Sequence, residues 1–254
     1  MIHIRPLTCA DELGAVDALY RDVFGIADRD TGLNLRLLSA LAANSAHVLG
    51  AYDGRRLIGF GVSFLARDPS TGRLYQYSQT VAVARDMQTR GVGRLVKYAQ
   101  RDAALADGID LLRWVFDPMY ARNAHFNLDV LGGRARRVHR NLYGAAAPGR
   151  DAGERTDRLL IDWELRAART APRTEVPELV PQPGHTCELG DQLAIGIPAD
   201  WQAYRVEVGP VAAAELRASV VDALAKALDR GLVVTSCRRV NDTVAVYLLT
   251  SEGV

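Results

Sequence analysis

The sequence predicts an α/β protein in which a mixed, mostly antiparallel sheet flanked by helices fills residues 1–165 and a smaller α/β unit follows. Three observations lead there. Apolar residues recur at helical spacing up to about residue 43 and at strand spacing from His47 to Val83, the two periods that separate an amphipathic helix from a half-buried strand. Strand and helix patterns then alternate up to about Leu165, an order that builds a sheet covered by helices. Beyond it Pro172, Pro177, Pro181 and Pro183 crowd together, and neither a helix nor a central strand runs through such a stretch.

Taken in order, Ile2 and Ile4 alternate with polar neighbours as a short strand. A helix follows, capped by Thr8 or Asp11, with Leu13, Val16, Leu19, Tyr20 and Val23 on one stripe and Gly25 closing it. Leu35, Leu37, Leu38 and Leu41 predict a second helix over 33–43. Strands over 47–52 and 56–66 join through Asp53-Gly54, a pair suited to the positive φ of a tight hairpin. Pro69-Ser70-Thr71-Gly72 turns the chain into a strand over 74–83. A helix starts at Thr89 or Gly91 and stops at Asp107-Gly108. Leu111 to Phe116 is nearly all apolar, as in a strand buried on both faces. A helix over 121–131 ends at Gly132-Gly133, and strands over 137–143 and 158–165 are joined by a Gly/Pro/Ala-rich loop. Residues 166–184 are the linker, and 185–254 hold a strand over 193–197, a helix over 210–230 and strands over 232–239 and 243–249. Pro210 and Gly231 punctuate that helix as expected.

Composition narrows the function. With 31 basic and 30 acidic residues the net charge is +1, too small a field to hold nucleic acid or an anionic membrane by charge. Neither a signal-peptide pattern nor an apolar run of membrane-spanning length is present, so a soluble cytoplasmic protein is expected. Cys9, Cys187 and Cys237 are scattered, which fits a reducing compartment and argues against a structural metal site.

Chemistry concentrates in Val81 to Lys97. A strand ends, a polar loop follows, and a helix opens with Gly91 and Gly93 in its first turn. The unpaired N–H groups of a helix start and the positive end of its dipole make an anion site. Glycines let a phosphate approach the backbone, and Arg90 and Arg94 add charge at the rim. A dinucleotide fingerprint would need a third glycine where Val96 stands, and a P-loop would need Gly-Lys-Ser/Thr where Gly93 is followed by Arg94-Leu95.

Gln88-Thr89-Arg90-Gly91-Val92-Gly93 resembles the Gln/Arg-x-x-Gly-x-Gly/Ala signature of the GNAT superfamily of acetyl-CoA-dependent acyltransferases. Val81-Ala82-Val83 stands where that family ends its fourth strand, and the order of elements over 1–165 is similar to the GNAT fold. The resemblance implies acetyl-CoA, or coenzyme A after transfer, as the bound co-substrate, with no metal. Its pantetheine arm would lie between splayed fourth and fifth strands and bond main-chain groups near Val81 and Val83, like an added strand. Backbone N–H groups of Gln88, Thr89, Arg90, Gly91, Val92, Gly93 and Arg94 would hold the pyrophosphate, and Asn123 would face the cofactor, with Asn127 in reserve.

One part of the pattern is missing. Many GNAT enzymes place a tyrosine on the last helix, four residues before a Gly-Phe or similar pair, as acid for the departing thiolate, and counting back four from Gly132 reaches Leu128. Tyr120 and Tyr143 are the nearby alternatives, each also readable as a packing aromatic. An amine acceptor needs a base, because an ammonium of pKa about 10.4 is no nucleophile. Asp117 and His125 are the candidates, against plainer readings as a turn cap and a polar helix residue. Gln76, Ser78 and Gln79 are read as facing the substrate. Trp114, Phe116 and Phe126 are read as core, and Arg134, Arg136, Arg137, His139 and Arg140 mainly as a solvated strand face, with contact to the adenosine phosphate or an acidic substrate as the alternative.

The expected activity is transfer of an acetyl or other short acyl group to an amine on a small molecule or peptide, by direct attack in a ternary complex. The rival expectation is a CoA-binding module with little chemistry, motivated by Leu128. For residues 185–254 three roles stand open: covering the acceptor side of the groove, forming a homodimer, or completing a partner's sheet.

Overall fold

The computed structural model describes residues 1–27, 33–44, 46–144, 153–167, 180–190 and 192–251. The Gly/Pro/Ala-rich loop over 145–152, and Pro172 and Pro177 of the linker, lie outside them. The described residues form two compact units, one of Met1–Trp114 with Glu164–Arg166, the other of the remaining residues from Val115 onward.

In the first unit β1 (Ile2–Pro6), β2 (His47–Asp53), β3 (Arg56–Arg67) and β4 (Leu74–Val83) form antiparallel neighbours in that order. β5 (Leu111–Phe116) joins β4 in parallel. α1 (Ala10–Phe24) and α2 (Leu35–Ala43) cover one face through Leu13, Val16 and Leu38, which pack with Val48, Phe60, Val62 and Ala82. α3 (Val92–Ala106) lays Val92 and Val96 on Ala51 and Ile58, with Val81 and Val83 alongside. The caps follow sequence chemistry with one correction. α1 is capped at Cys9, not at Thr8 or Asp11, because Glu12 reaches back to the N–H groups of Thr8 (3.1 Å) and Cys9 (3.4 Å). Asn34 caps α2 by accepting from Leu37 N–H, and Gly25 ends α1 in the left-handed region as expected. The turn after β3 is built on Asp68, whose Oδ1 accepts from Ser70 N–H, Ser70 Oγ and Thr71 N–H, while Arg113 holds its other oxygen at 2.7 Å.

In the second unit the strands run β7 (Arg158–Glu164), β6 (Arg134–His139), β10 (Leu232–Arg239), β11 (Val244–Ser251), β9 (Gln192–Pro198) and β8 (Thr186–Leu189), antiparallel throughout. α4 (Ala121–His125) passes into a single π turn over Phe126–Val130, so the helix expected over 121–131 is α-helical only in its first half. β6 begins at Arg134, three residues before the expected start. A bulge between Ala135 and Arg137 breaks the alternation there and hides the strand behind its arginines. α5 (Trp201–Asp229) starts nine residues before the expected Pro210: Asp200 caps a first segment, and the helix is interrupted at Gly209 (φ 81, ψ 171). β8 was not expected; it falls on polar Thr186 to Leu189, just after Pro183 bridges Gly196.

Candidate functional site

β4 delivers its last residue, Val83, to a 3₁₀ turn (Arg85–Met87) that leads into α3. The turn is tied down on both sides: Arg56 grips Asp86 through two bonds of 2.7 and 2.8 Å, and Arg85 donates to Asp22 O. Gln88 folds back, its Nε2 donating to Val83 O at 3.1 Å. Two residues then take left-handed backbone, Thr89 (φ 68) and Gly91 (φ 82). Glycine carries this at no steric cost, but a threonine held there costs roughly 1–3 kcal/mol, a strain that clusters at functional sites.

Gly91 is the N-cap of α3, and no side chain among the described residues caps the helix. Leu95 N–H reaches back to Gly91 O at 3.1 Å, while the N–H groups before it have no carbonyl one turn earlier. Arg90 and Arg94 are exposed at the same end. Gly93 lies beside the end of β4, where a Cβ would sit 3.8 Å from Val83 Cγ2. Bare N–H groups, the dipole's positive end and two exposed guanidinium arms suit a diphosphate, so the residues from Gln88 to Arg94 fit the anion expected of them.

The strand beside this helix is open along part of its length. β4 and β5 share rungs at Gln76↔Leu112 and Tyr77↔Arg113 only, while β4 runs on to Val83. Between Val62↔Thr80 and Ser63↔Ser78 the register of β3 and β4 slips, leaving Gln79 as a bulge. The bulge resets which side chains face α3: Gln76 and Ser78 below it, Val81 and Val83 above it. Gln76 and Ser78 are therefore buried against the helix (1% and 4% exposed), not turned toward a substrate; Gln79 alone of the three is exposed.

Where the two strands part, the unit buries polar groups that sequence reading missed. Lys97 is 4% exposed; its Nζ donates to Ser78 Oγ at 2.9 Å and lies 3.6 Å from the centre of the Trp114 ring. Ser78 Oγ donates in turn to Gln100 Oε1 at 2.9 Å. Ser63 Oγ, Gln76 Oε1 and Gln100 Nε2 are buried with no hydrogen-bond partner among the described residues. Burial pushes the Lys97 ammonium well below the ordinary lysine range. A lysine on the inward stripe of α3, between Val96 and Gln100, was the available signal.

The remaining candidates belong to the second unit. Asp117 takes both guanidinium nitrogens of Arg217 (2.9 and 3.0 Å) and the N–H of Met119, so its carboxylate is fully engaged. His125 Nδ1 lies 3.1 Å from Asp129 Oδ2 and 3.0 Å from Cys237 O. Asp129 also accepts from Ser236 Oγ (2.6 Å) and Cys237 N–H (2.9 Å) and pairs with Arg238. The Asp129 bond, against the cost of burial, raises the His125 pKa. Burial works to lift Asp129, but His125, Ser236, Cys237 and Arg238 outweigh it and hold the carboxyl below its usual range. Asn123 is exposed on α4, and Asn127 is buried in the π turn. Tyr143 is 45% exposed, with the Arg158 guanidinium 5.2 Å from its ring centre. Tyr120 Oη accepts from Gln202, and Leu128 is buried in the core. Arg134 donates to the carbonyls of Gly132 and Gly133, so the arginine run is in part engaged with backbone.

No family model matches the sequence, and no curated protein matches it. Solved structures do. The ribosomal-protein-S18-alanine N-acetyltransferase of Escherichia coli aligns at TM-score 0.52 and 18% identity, over 66% of this chain and 96% of that one. yncA of Salmonella typhimurium, solved with its cofactor acetyl-CoA, aligns at TM-score 0.53 and 17% identity, over 68% and 99%. Naa20 of Chaetomium thermophilum, solved with a bisubstrate analogue, aligns at TM-score 0.52 and 17% identity, over 64% and 86%. The fold is that of the GNAT acetyltransferases.

Proposed function

We propose that this chain is an acyl-CoA-dependent N-acyltransferase, moving an acetyl or other short acyl group to an amine by direct attack in a ternary complex. One observation carries the reading: an uncapped, glycine-opened helix start sits at the end of a strand whose parallel neighbour has already left it. Residues 1–165 are the proposed acyl-CoA module, a share of the chain similar to what the solved acetyltransferases cover. The backbone from Gln88 to Arg94 holds the pyrophosphate, and main-chain groups near Val81 and Val83 take the pantetheine arm as an added strand would. Asn123 is the proposed further cofactor contact. The acceptor is an amine on a small molecule or peptide; the E. coli neighbour acts on a protein's alanine.

For the base we favour His125 over Asp117. Both acceptors at Nδ1 want its proton, which leaves the Nε2 lone pair to take one from an ammonium. Asp117 is spent on Arg217. Tyr143 remains an alternative donor. A cytoplasmic setting belongs to the same proposal; among the described residues no helix is long and apolar enough to cross a membrane.

Gly91→Glu is the direct test. It puts bulk and negative charge on the phosphate site in left-handed backbone, so calorimetry should find CoA binding abolished in a folded variant; unchanged affinity would refute the assignment. The second reading, a CoA-binding module with little chemistry, rests on Leu128 in the tyrosine's place. Free thiol followed with acetyl-CoA and a broad amine panel separates the two: tight CoA binding without thiol release favours the module.

A further inference from the structure

We propose that Lys97 hands a proton to the coenzyme A sulfur as its bond to the acyl carbon breaks, the task for which the usual tyrosine position holds Leu128. The proposal rests on the acyl-CoA reading above. The acceptor nitrogen attacks the thioester carbonyl carbon, and a C–N bond replaces the C–S bond. The C–S electron pair goes to sulfur, and Nζ supplies the proton that makes it a thiol. The surplus proton of the acceptor leaves to a base, and solvent reprotonates Nζ.

Position comes first. Ser78 on β4 and Trp114 on β5 are the residues next beyond the last shared rung, Tyr77↔Arg113, and Nζ touches both side chains. Lys97 therefore bridges the two strands where they separate. The pantetheine arm runs about twelve bonds from phosphate oxygen to sulfur, the backbone of about four residues, or about 13–14 Å when extended. Gly93 lies beside Val83, so a phosphate bound at the helix start would begin the arm there. Four residues back along β4 is Gln79, the bulge, adjacent to Ser78. The sulfur of an arm laid along β4 thus arrives at the rung that Lys97 occupies.

Chemistry agrees. Nζ meets Ser78 of β4 and the Trp114 face of β5, Ser78 in turn bonds Gln100 of α3, and Gln76 of β4 and Ser63 of β3 are buried as well. Desolvation alone accounts for the lowered pKa, so among the described residues no carboxylate stabilises the ammonium. A lowered pKa makes the ammonium a readier proton donor than an exposed lysine. The indole face still favours the protonated form, and an ammonium does not attack the thioester.

The test needs no acceptor. The thiolate absorbance of coenzyme A bound to the full chain is followed against pH in wild type and in Lys97→Met, with binding checked by calorimetry. A cation beside the sulfur should make the bound thiol titrate about 1–3 pH units lower in wild type than in the variant; equal values overturn the proposal. If K97M does not fold, wild type decides alone: its bound thiol must titrate below free coenzyme A, and an equal value overturns the assignment. With any amine that wild type acylates, K97M should turn over about 10²–10⁴-fold more slowly, and an unchanged rate overturns it. Acetyl found on Lys97 by peptide mass spectrometry after incubation with acetyl-CoA would make it a nucleophile and also overturn it. Wild type that binds no coenzyme A would sink the acyl-CoA reading itself, an outcome distinct from all of these.

Discussion

His125 Nδ1 faces two acceptors, Asp129 Oδ2 and Cys237 O, and the bond to Asp129 is the main reason its pKa is raised. The sign of the pH dependence follows. A folded-state pKa above the unfolded one, about 6.5 for imidazole, gives stabilisation that is complete below that value and lost as pH rises through the folded pKa. Asp129 runs the other way: its lowered pKa gives stabilisation present above about 3.9 and lost as pH falls through the folded value. Both contributions are whole between about pH 4 and 6.5. Asp129→Asn should therefore lower the His125 titration midpoint, read from its imidazole resonances by NMR. An unmoved midpoint would show that Asp129 does not set the proton affinity of His125. If His125 is the base, the acid limb of the rate profile should move to lower pH in the same variant.

At the scale of elements, α3 reaches the sheet because β3 presents glycines beneath it. A Cβ at Gly61 would lie 2.7 Å from Val96 Cγ1 and 3.0 Å from Gln100 Nε2. Gly61→Val should cost about 1–3 kcal/mol through overpacking, seen as a lower urea midpoint, and should weaken coenzyme A binding by lifting the helix that carries Gly91 and Lys97. A midpoint equal to wild type would mean that α3 does not depend on this approach. Much of this region was legible in the sequence. β4, β5 and the end of α3 were placed closely, since alternation, an unbroken apolar run and Asp107-Gly108 are local signals. What could not be read are the irregularities that aim side chains. The bulge at Gln79 turns Gln76 and Ser78 inward by one extra residue, and the bulge in β6 hides its start. The π turn over Phe126–Val130 replaces the second half of the expected helix, yet nothing in the composition of 121–131 marks it. Asp129 and Lys97 were missed for different reasons: beyond its i,i+4 contact with His125, Asp129 draws Ser236, Cys237 and Arg238 from far along the chain, and Lys97 has no acidic partner among the described residues.

On the scale of the whole molecule, the second unit is assembled from segments on both sides of the linker. Asp117, Glu154 and Arg158 come before it, and Arg205 and Arg217 after it; Arg217 bonds Asp117 and Glu154, and Arg205 also pairs with Glu154. Burial pulls the Arg217 pKa down, but Asp117 and Glu154 more than offset this. Asp129 is served by Ser236, Cys237 and Arg238, and Tyr247 Oη donates to Pro118 O at 2.7 Å. These contacts hold together the compact unit that begins at Val115, inside β5. A chain ending at residue 165 keeps the phosphate-binding segment but leaves Asp117 without Arg217 and Asp129 without Arg238. Breaking one buried pair costs about 3–5 kcal/mol, and two such losses approach the roughly 5–15 kcal/mol that holds a domain folded. The 1–165 fragment should therefore fail to melt cooperatively by calorimetry where the full chain does. Asp117→Asn with Asp129→Asn in the fragment should recover part of the transition, because the cost lies in stranded charge. A fragment that melts like the full chain would mean that the C-terminal strands add nothing to the fold of residues 115–163.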